Sequence, residues 1–465
     1  MMSISRAVAV PGQRQAERRT GDLGPRSSGG RVLTVFLAAY PLWWLVGLGQ
    51  FGFILVGLWL GYELLRKKQI RVPPGFGLWV LFLVVVLLGA WTLWAPVPGL
   101  MPESGAGRLL SWGFRLLWLV AGTCVMLFIG DSPERVLPTR RVVGLFAWLF
   151  AITVIGGYAG TFAYRADFPS LLEIILPRSI AHHPFVSTQI HPGLAQVQDI
   201  LGYESPRPKA PFEYANSWGA NYGMLLPYFV LMVKFARRAW QRVVFVAMLV
   251  VALPPAIMSL NRGLWIGLGV MLLLALVRML LNGKFTLVLS LAVGVAVVGT
   301  LAALSPLRDI VLSRLDNPHS NSGRSNLASF TVKTTLEHSP IIGFGSTRTR
   351  QGNFFSIAAG ATADCHQCSP PQLGTQGTLW FLVFCTGFLG TALFLAFLVR
   401  RHAPLLFDAR PVPFAVLASA TYFACVMPFY DTISSPLFIL MAGMGLGWRY
   451  DRPAQNDTSP QESRQ

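Results

Sequence analysis

Long apolar runs separated by short polar connections dominate this chain. An apolar run of about 20 residues is long enough to cross the hydrocarbon core of a bilayer as an α-helix. The pattern predicts about twelve such helices, at residues 32–47, 49–65, 76–94, 109–130, 142–163, 219–236, 243–260, 263–281, 285–304, 377–399, 413–428 and 433–448. We therefore expect an all-α, polytopic integral membrane protein.

The composition agrees with a membrane protein and shows where the charge lies. The chain is 53% hydrophobic and 12% charged, with a mean hydropathy of +0.52, which is not the balance of a soluble globular domain. Its net charge of +18 comes mostly from Lys and Arg in short, alternate connections, such as 66–71 and 234–242. Basic connections face the cytoplasm. Both termini are therefore predicted to be cytoplasmic, and this charge pattern argues against nucleic acid as a partner.

This topology divides the chain into three regions. Residues 1–31 are predicted to be a disordered basic cytoplasmic tail, residues 32–448 a transmembrane domain, and residues 449–465 a second cytoplasmic tail. Two long polar loops, 164–218 and 305–376, fall on the predicted outer face of the cytoplasmic membrane. Both exceed ordinary connection lengths. The second loop is dense in Arg, His, Asp, Gly and Pro, so we expect it to carry the function.

Positive charge on the predicted outer face needs a cause, because the topology rule places Lys and Arg inside. Arg262 lies there, between two strongly apolar helices, and the second loop adds Arg308, Arg314, Arg324, Arg348 and Arg350. Two interpretations are open. One is a snorkelling Arg262 that caps a helix end, together with a solvated surface patch. The other is a site for an anionic substrate, since a guanidinium group offers phosphate a planar fork and stays charged.

The sequence predicts no metal site. His182 and His183 are adjacent, whereas two ligands on one helix face need i, i+3 or i, i+4 spacing. Cys365 and Cys368 form a CxxC pair without a second pair outside the apolar spans, so zinc is not indicated. A small structural disulfide between these two residues is the favoured interpretation.

A series of motifs occurs in order across the second half of the chain. It comprises Pro211–Gly219, Asn261–Gly267, Arg324, Pro340–Gly345, Pro371–Gly377 and Gly387–Gly390. In order and spacing this series resembles the O-antigen ligase and polymerase superfamily of bacterial membrane glycosyltransferases, and within it the actinobacterial members. The first 200 residues match that superfamily only as apolar spans.

The resemblance implies a GT-C-like enzyme that takes a glycan from a polyprenyl-diphosphate donor and transfers it to a sugar acceptor, without a metal or other cofactor. Arg262 and Arg324 would stabilise the negative charge that develops on the leaving diphosphate. Gln376 stands where ligases commonly carry a His, and its amide cannot take a proton. The nearest candidates for a general base are then Asp364 and His366.

The remaining candidate positions are expected to bind substrate rather than to act on it. They are Asn216, Arg308, Arg314, Arg348 and Gln376. Asn216 has an alternative role as the N-cap of the helix that follows it. The motifs do not distinguish a polymerase from a ligase.

Two other functions remain open at the level of sequence. A transporter or flippase of lipid-linked glycans would place ionisable residues near the membrane midplane and break helices in matching halves of the chain. Arg115 is the main ionisable candidate inside a predicted span. A scaffold for polysaccharide assembly without catalysis is the third possibility, because Gln376 replaces the expected His.

Overall fold

The computed structural model describes residues 28–102, 105–199, 204–304, 308, 312, 319–350, 354–355, 368–369 and 372–451. Most of this chain is helical. The helices are α1 Gly29–Ala38, α2 Tyr40–Val46, α3 Gly49–Leu65, α4 Phe76–Leu88, α5 Gly105–Asp131, α6 Thr139–Phe162, α7 Leu171–Ile175, α8 Arg178–Ala181, α9 Pro184–Ile190, α10 Ala215–Phe235, α11 Ala239–Val251, α12 Leu253–Met258, α13 Arg262–Leu281, α14 Phe285–Ala303, α15 His319–His338, α16 Thr378–His402, α17 Pro411–Val426 and α18 Ser435–Tyr450. Two 3-10 segments, Gly89–Trp94 and Ala403–Leu406, extend α4 and α16.

Short antiparallel strand pairs accompany the helices. Strand β1, Ala195–Asp199, pairs with β2, Glu204–Pro208, in a register that places Gln196 opposite Arg207. Further along, β3 Arg348–Thr349 pairs with β6 Gln372–Leu373, and β4 Phe354–Phe355 pairs with β5 Cys368–Ser369. All of these strands lie in the two long loops that the sequence places outside the membrane, so the membrane-embedded part remains helical.

The helices confirm a multi-pass membrane protein. Within the described residues, six helices are long and apolar enough to cross a membrane, and a seventh span results if α1 and α2, bent by 71° at their junction, count as one. Each of the twelve apolar segments predicted from the sequence coincides with helical structure. Several of these helices are shorter than a bilayer requires, and twelve crossings therefore stay a prediction.

Helix α18 forms the centre of the bundle. Every residue from Ser435 to Trp448 is buried, and the helix packs against α5, α10 and α17. Small residues allow a close approach to α5: Gly130 lies directly against the Trp448 ring, and a Cβ atom at Gly445 would lie 2.6 Å from the Met126 carbonyl oxygen. Close backbone approach at glycine is the usual basis of tight packing between membrane helices.

Ion pairs close one end of the bundle, which we call the basic face. Lys67 Nζ lies 2.6 Å from Asp131, and Arg401 lies 2.7 Å from Asp451. Arg449, at the end of α18, lies 3.2 Å from a Glu134 carboxylate oxygen. The opposite end, which we call the loop face, carries β1, β2, α15 and the turn between α17 and α18.

Helix α16 is interrupted inside the bundle. Gly387 has φ 64° and ψ −173°, which is not helical. The segment Pro340–Gly345 enters this break: the Phe344 and Gly345 amides donate to the carbonyl oxygens of Phe384 and Cys385, at 2.8 and 2.9 Å, and the Phe388 amide donates to Pro340 at 2.8 Å. A helix that breaks within a membrane needs other partners for its backbone groups. The segment Pro340–Gly345 supplies them.

We predict that Gly343→Ala and Gly387→Ala each destabilise the protein by about 2 kcal/mol or more. Both glycines have positive φ. A Cβ atom at Gly343 would lie 2.5 Å from the Gly387 amide nitrogen, and one at Gly387 would overlap the Ile341 carbonyl group. Thermal unfolding in detergent measures the effect. Gly77→Ala, where a Cβ atom meets nothing within 4 Å, is the control, and unfolding of the Gly387 variant at the wild-type temperature would contradict the prediction.

Candidate anion site at the loop face

Arg262 is the first residue of α13 and lies at the positive end of that helix. The cap is the preceding residue, Asn261, whose side-chain oxygen accepts a hydrogen bond from the Leu264 amide at 2.9 Å. Arg262 therefore does not cap the helix. A cation in the first helical turn is disfavoured by the helix dipole, whereas an anion bound there would be favoured by both the dipole and the guanidinium group.

Arg207 brings a second guanidinium group to the same place. Its side chain reaches from β2 and donates hydrogen bonds to the Ser259 carbonyl oxygen at 3.0 Å, to Gln198 Oε1 at 3.0 Å and to Asn216 Oδ1 at 3.1 Å. All three acceptors are uncharged, and Arg207 is only 7% exposed. Burial lowers the pKa of Arg207 to about 10, and the charge of Arg324 acts in the same direction. The group is still a cation at neutral pH.

Arg324 completes the group from α15. Its side chain is exposed, and its guanidinium carbon lies 5.9 Å from the centre of the Tyr430 ring. The Tyr430 hydroxyl accepts a hydrogen bond from the Gly263 amide at 3.0 Å. Arg324 lies close enough to interact electrostatically with both Arg207 and Arg262. The Tyr430 hydroxyl group also interacts electrostatically with both. We call Arg207, Arg262 and Arg324 the arginine cluster, and Tyr430 lies at its centre.

Within the described part of the chain, Arg207 and Arg324 form no ion pair with a carboxylate. Like charges repel, and a buried charge ordinarily has a partner of opposite sign. The sequence keeps the three cations close despite that cost. An anion that contacts all three would remove it, and phosphate oxygens fit guanidinium donors in charge and geometry.

A different arginine is already paired. Arg115 of α5 binds the Asp431 carboxylate through both terminal nitrogens, with Nη1 at 2.8 Å from Oδ1, and also donates to the Ile433 carbonyl oxygen at 3.2 Å. Its guanidinium carbon lies 5.0 Å from the centre of the Phe381 ring. Asp431 follows Tyr430 in the turn between α17 and α18. The main ionisable candidate inside a predicted span is thus held at the loop face.

The predicted substrate-binding residues Asn216, Arg348 and Gln376 lie in different environments. Asn216 lies in the first turn of α10 and contacts Arg207, so its alternative role as an N-cap is wrong, because Tyr214 occupies the cap position. Buried Arg348 donates to the carbonyl oxygens of Thr92 and Ala95, both at 2.6 Å. Gln376 is also buried, donates to the Gln372 carbonyl oxygen at 2.9 Å and accepts from Thr331 at 3.4 Å. These two side chains connect the second loop to its surroundings.

The other predicted site residues do not contribute described contacts to the arginine cluster. Arg308 is exposed. Arg314, Asp364 and His366 lie outside the described residues, as does Cys365 of the predicted disulfide. Among the described residues, no group of three His, Cys, Asp or Glu side chains is placed to hold a metal ion. The predicted general base and the predicted absence of a cofactor therefore stay predictions.

Sequence reasoning missed Arg207, Tyr430 and Asp431. A signal was present for the first, since Arg207 is a further cation in a loop that the topology rule places outside. Asp431 stands in a short connection between two apolar spans, which is also an unusual position for a carboxylate. Tyr430 carries no signal, because an aromatic residue at a membrane interface is ordinary.

Comparison with protein families, characterised proteins and solved structures finds no match to this chain. The arginine cluster is thus described from its own geometry. The resemblance to O-antigen ligases and polymerases stays a prediction from sequence motifs.

We predict that Glu213→Gln makes stability less dependent on pH. Glu213 lies next to the site, is 8% exposed and accepts a hydrogen bond from Ser217 at 2.8 Å. Burial raises the pKa of Glu213, despite its hydrogen bonds, so the folded chain holds the proton more tightly than the unfolded chain. The free energy of unfolding should therefore fall as pH rises from the ordinary Glu value through the raised one. An amide keeps the acceptor oxygen but cannot ionise.

Unfolding of both proteins as a function of pH measures this difference. Glu337→Gln is the matched control, because Glu337 is an exposed residue of α15, 3.9 Å from Lys333. A Glu213 variant whose stability declines with pH as steeply as that of the wild type would contradict the assignment.

Proposed function

We propose that the arginine cluster binds the diphosphate of a polyprenyl-linked glycan, and that the protein transfers or polymerises this glycan onto a sugar acceptor. The observation that carries the proposal is the convergence of Arg207, Arg262 and Arg324 at one end of a membrane-embedded bundle, around Tyr430. A diphosphate carries negative charge that would reduce the repulsion among the three guanidinium groups. A polyprenyl chain would place that diphosphate at the membrane surface, where the cluster lies.

The cluster can assist the departure of the diphosphate. In the transfer, the acceptor hydroxyl oxygen forms a bond to the anomeric carbon, and the bond from that carbon to the diphosphate oxygen breaks. The electron pair stays on the polyprenyl diphosphate, and the hydroxyl proton passes to a general base, for which the sequence predicts Asp364 or His366. Negative charge grows on the diphosphate during this step. Fixed guanidinium groups stabilise it more than they stabilise the ground state.

The membrane arrangement extends the same proposal. With twelve crossings and both termini in the cytoplasm, the loop face is the outer face of the cytoplasmic membrane, and the basic face is cytoplasmic. The ion pairs of the basic face still leave an excess of Lys and Arg in its connections, such as Arg140, Arg141, Arg237 and Arg238. A GT-C-like, cofactor-independent glycosyltransferase of the O-antigen ligase or polymerase type fits this orientation.

A transporter or flippase of lipid-linked glycans is the alternative. The break of α16 at Gly387 is a feature that transporters use to line a path. Here, however, the segment Pro340–Gly345 fills the break with main-chain hydrogen bonds. Arg115 is held by Asp431 at the loop face rather than left near the midplane. These two observations favour transfer over transport.

We predict that Arg207→Gln and Arg262→Gln each weaken binding of geranylgeranyl diphosphate by roughly 10- to 100-fold, the loss expected for one charge-assisted contact. Binding of geranylgeranyl monophosphate should change less, because it has fewer oxygens to contact the cluster. Isothermal titration of the full chain in nanodiscs measures both. Arg165→Gln is the control, since Arg165 is an exposed residue beyond α6 in the first loop. Wild-type affinity in both cluster variants would rule out the diphosphate site.

A second experiment separates transfer from transport. The full chain is supplied with a radiolabelled polyprenyl-diphosphate oligosaccharide and unlabelled oligosaccharide acceptors in detergent, and with the same lipid in sealed proteoliposomes. We expect an elongated product in detergent that is lost in Arg262→Gln. Movement of the lipid-linked label across the proteoliposome membrane, without a product in detergent, would support a flippase and contradict the proposed transfer.

A further inference from the structure

The first loop contains a short helix, α7, whose apolar side faces outward. Leu171, Ile174 and Ile175 stand on one face of this helix, at spacing i, i+3 and i+4, and they are 51%, 66% and 68% exposed. A helix at the surface of a globular protein turns such a face towards the core instead. We call these three residues the apolar face of α7. Neither the arginine cluster nor the bundle core accounts for it.

The polar side of α7 is turned towards the rest of the loop. The Ser170 hydroxyl group caps the helix by accepting a hydrogen bond from the Glu173 amide at 3.1 Å. The Glu173 carboxylate lies 2.9 Å from one ring nitrogen of His191, and the Asp167 carboxylate lies 2.6 Å from the other. These contacts fix the orientation of α7, so its apolar face stays directed away from the protein.

The neighbours of α7 place it at the border of the membrane. In the turn between α2 and α3, a Cβ atom at Gly47 would lie 2.5 Å from the Ser170 Oγ atom. From this turn α3 runs 17 residues towards the basic face, which is about 25 Å at 1.5 Å per residue. The Lys67–Asp131 ion pair lies at the other end of α3, and charged groups avoid the hydrocarbon core, which is about 30 Å thick. The turn, and α7 with it, therefore lies at the opposite border of that core.

The apolar face of α7 also continues a surface that the bundle presents to lipid. Helix α7 packs against α2, and Trp44 of α2 contacts Phe168, with ring centres 6.1 Å apart. Leu42 and Leu45 of α2 are exposed, and α2 belongs to the bent pair that forms a candidate membrane span. Arg178, shortly after α7, is exposed as well. A cation beside an apolar face is typical of segments that lie in a membrane interface.

We infer that α7 is an interfacial helix, which inserts Leu171, Ile174 and Ile175 into the border between headgroups and acyl chains and so anchors the first loop to the bilayer. The inference goes beyond the proposed function and does not depend on it. It bears on the arginine cluster, because the polar side of α7 holds the segment that leads into β1 and β2. A second copy of this chain or another protein could cover the same face, and the experiment distinguishes both from lipid.

The test replaces Ile174 of the full chain by p-benzoylphenylalanine, which crosslinks to nearby C–H bonds under light. The protein is reconstituted in proteoliposomes of phosphatidylcholine with radiolabelled acyl chains. Leu273, an exposed residue of the candidate span α13, is the positive control. Lys333, an exposed residue of the polar helix α15, is the control for a side chain in water. We expect a labelled lipid adduct at Ile174 with the yield found at Leu273, and loss of the adduct at Lys333.

The same replacement at Leu171 and Ile175 keeps the result independent of one variant. Both residues share the apolar face, so both should also form lipid adducts. Thermal unfolding of each variant checks the fold, which three exposed side chains leave undisturbed. Yields at all three positions no higher than at Lys333 would place the face in water and overturn the inference.

The identity of the crosslinked partner decides between the occupants. A covalent dimer of this chain on a denaturing gel, in place of the lipid adduct, would show self-association and overturn the interfacial helix. Whole cells that express the Ile174 variant are irradiated in parallel. An adduct with another protein in these cells, without a lipid adduct, would overturn it as well.

Discussion

Main-chain hydrogen bonds between the broken helix α16 and the segment Pro340–Gly345 fix the loop face of this protein. The bilayer offers no water to the backbone groups that the break at Gly387 releases. The amides of Phe344 and Gly345 bind those carbonyl groups, and the segment is thereby fastened inside the bundle. Helix α15, which carries Arg324, ends just before this segment, so the position of that arginine depends on the same contact.

The arginine cluster differs from these hydrogen bonds, because its three guanidinium groups repel one another. Arg207 arrives on a strand, Arg262 on a helix N-terminus and Arg324 on a second helix. Arg207 donates hydrogen bonds to uncharged groups, and Arg324 lies over the Tyr430 ring. An arrangement of this kind is less stable when empty than when an anion occupies it. Binding energy from a diphosphate would therefore offset a repulsion that is present before the ligand arrives, which favours tight retention of the leaving group.

The turn between α17 and α18 contributes neighbouring residues to two different sets of contacts at the loop face. Tyr430 contacts the arginine cluster, whereas Asp431 forms an ion pair with Arg115, although the two residues are adjacent. The central helix α18 begins directly after this turn. The burial of α18 from Ser435 to Trp448 between α5, α10 and α17 holds the turn in place.

The sequence alone determined that this is a helical, multi-pass membrane protein, because long apolar runs have few alternatives to helices in a bilayer. The twelve predicted segments all coincide with helices, and Arg262 and Arg324 were recognised as charges that the topology rule did not explain. The insertion of Pro340–Gly345 into α16 was not predicted, because it depends on partners 40 to 48 residues away in the chain.

Only the tertiary structure decided which charges meet. Arg348 and Gln376 look like substrate contacts in the sequence, yet their side chains bind main-chain groups of neighbouring segments. Arg207 and Tyr430 lie in different parts of the chain, and their approach to Arg262 results from the packing of β2 and of the α17–α18 turn around the start of α13. Hydropathy specifies which residues enter the membrane. It contains no information about which helix ends lie side by side. The candidate site forms where such ends meet.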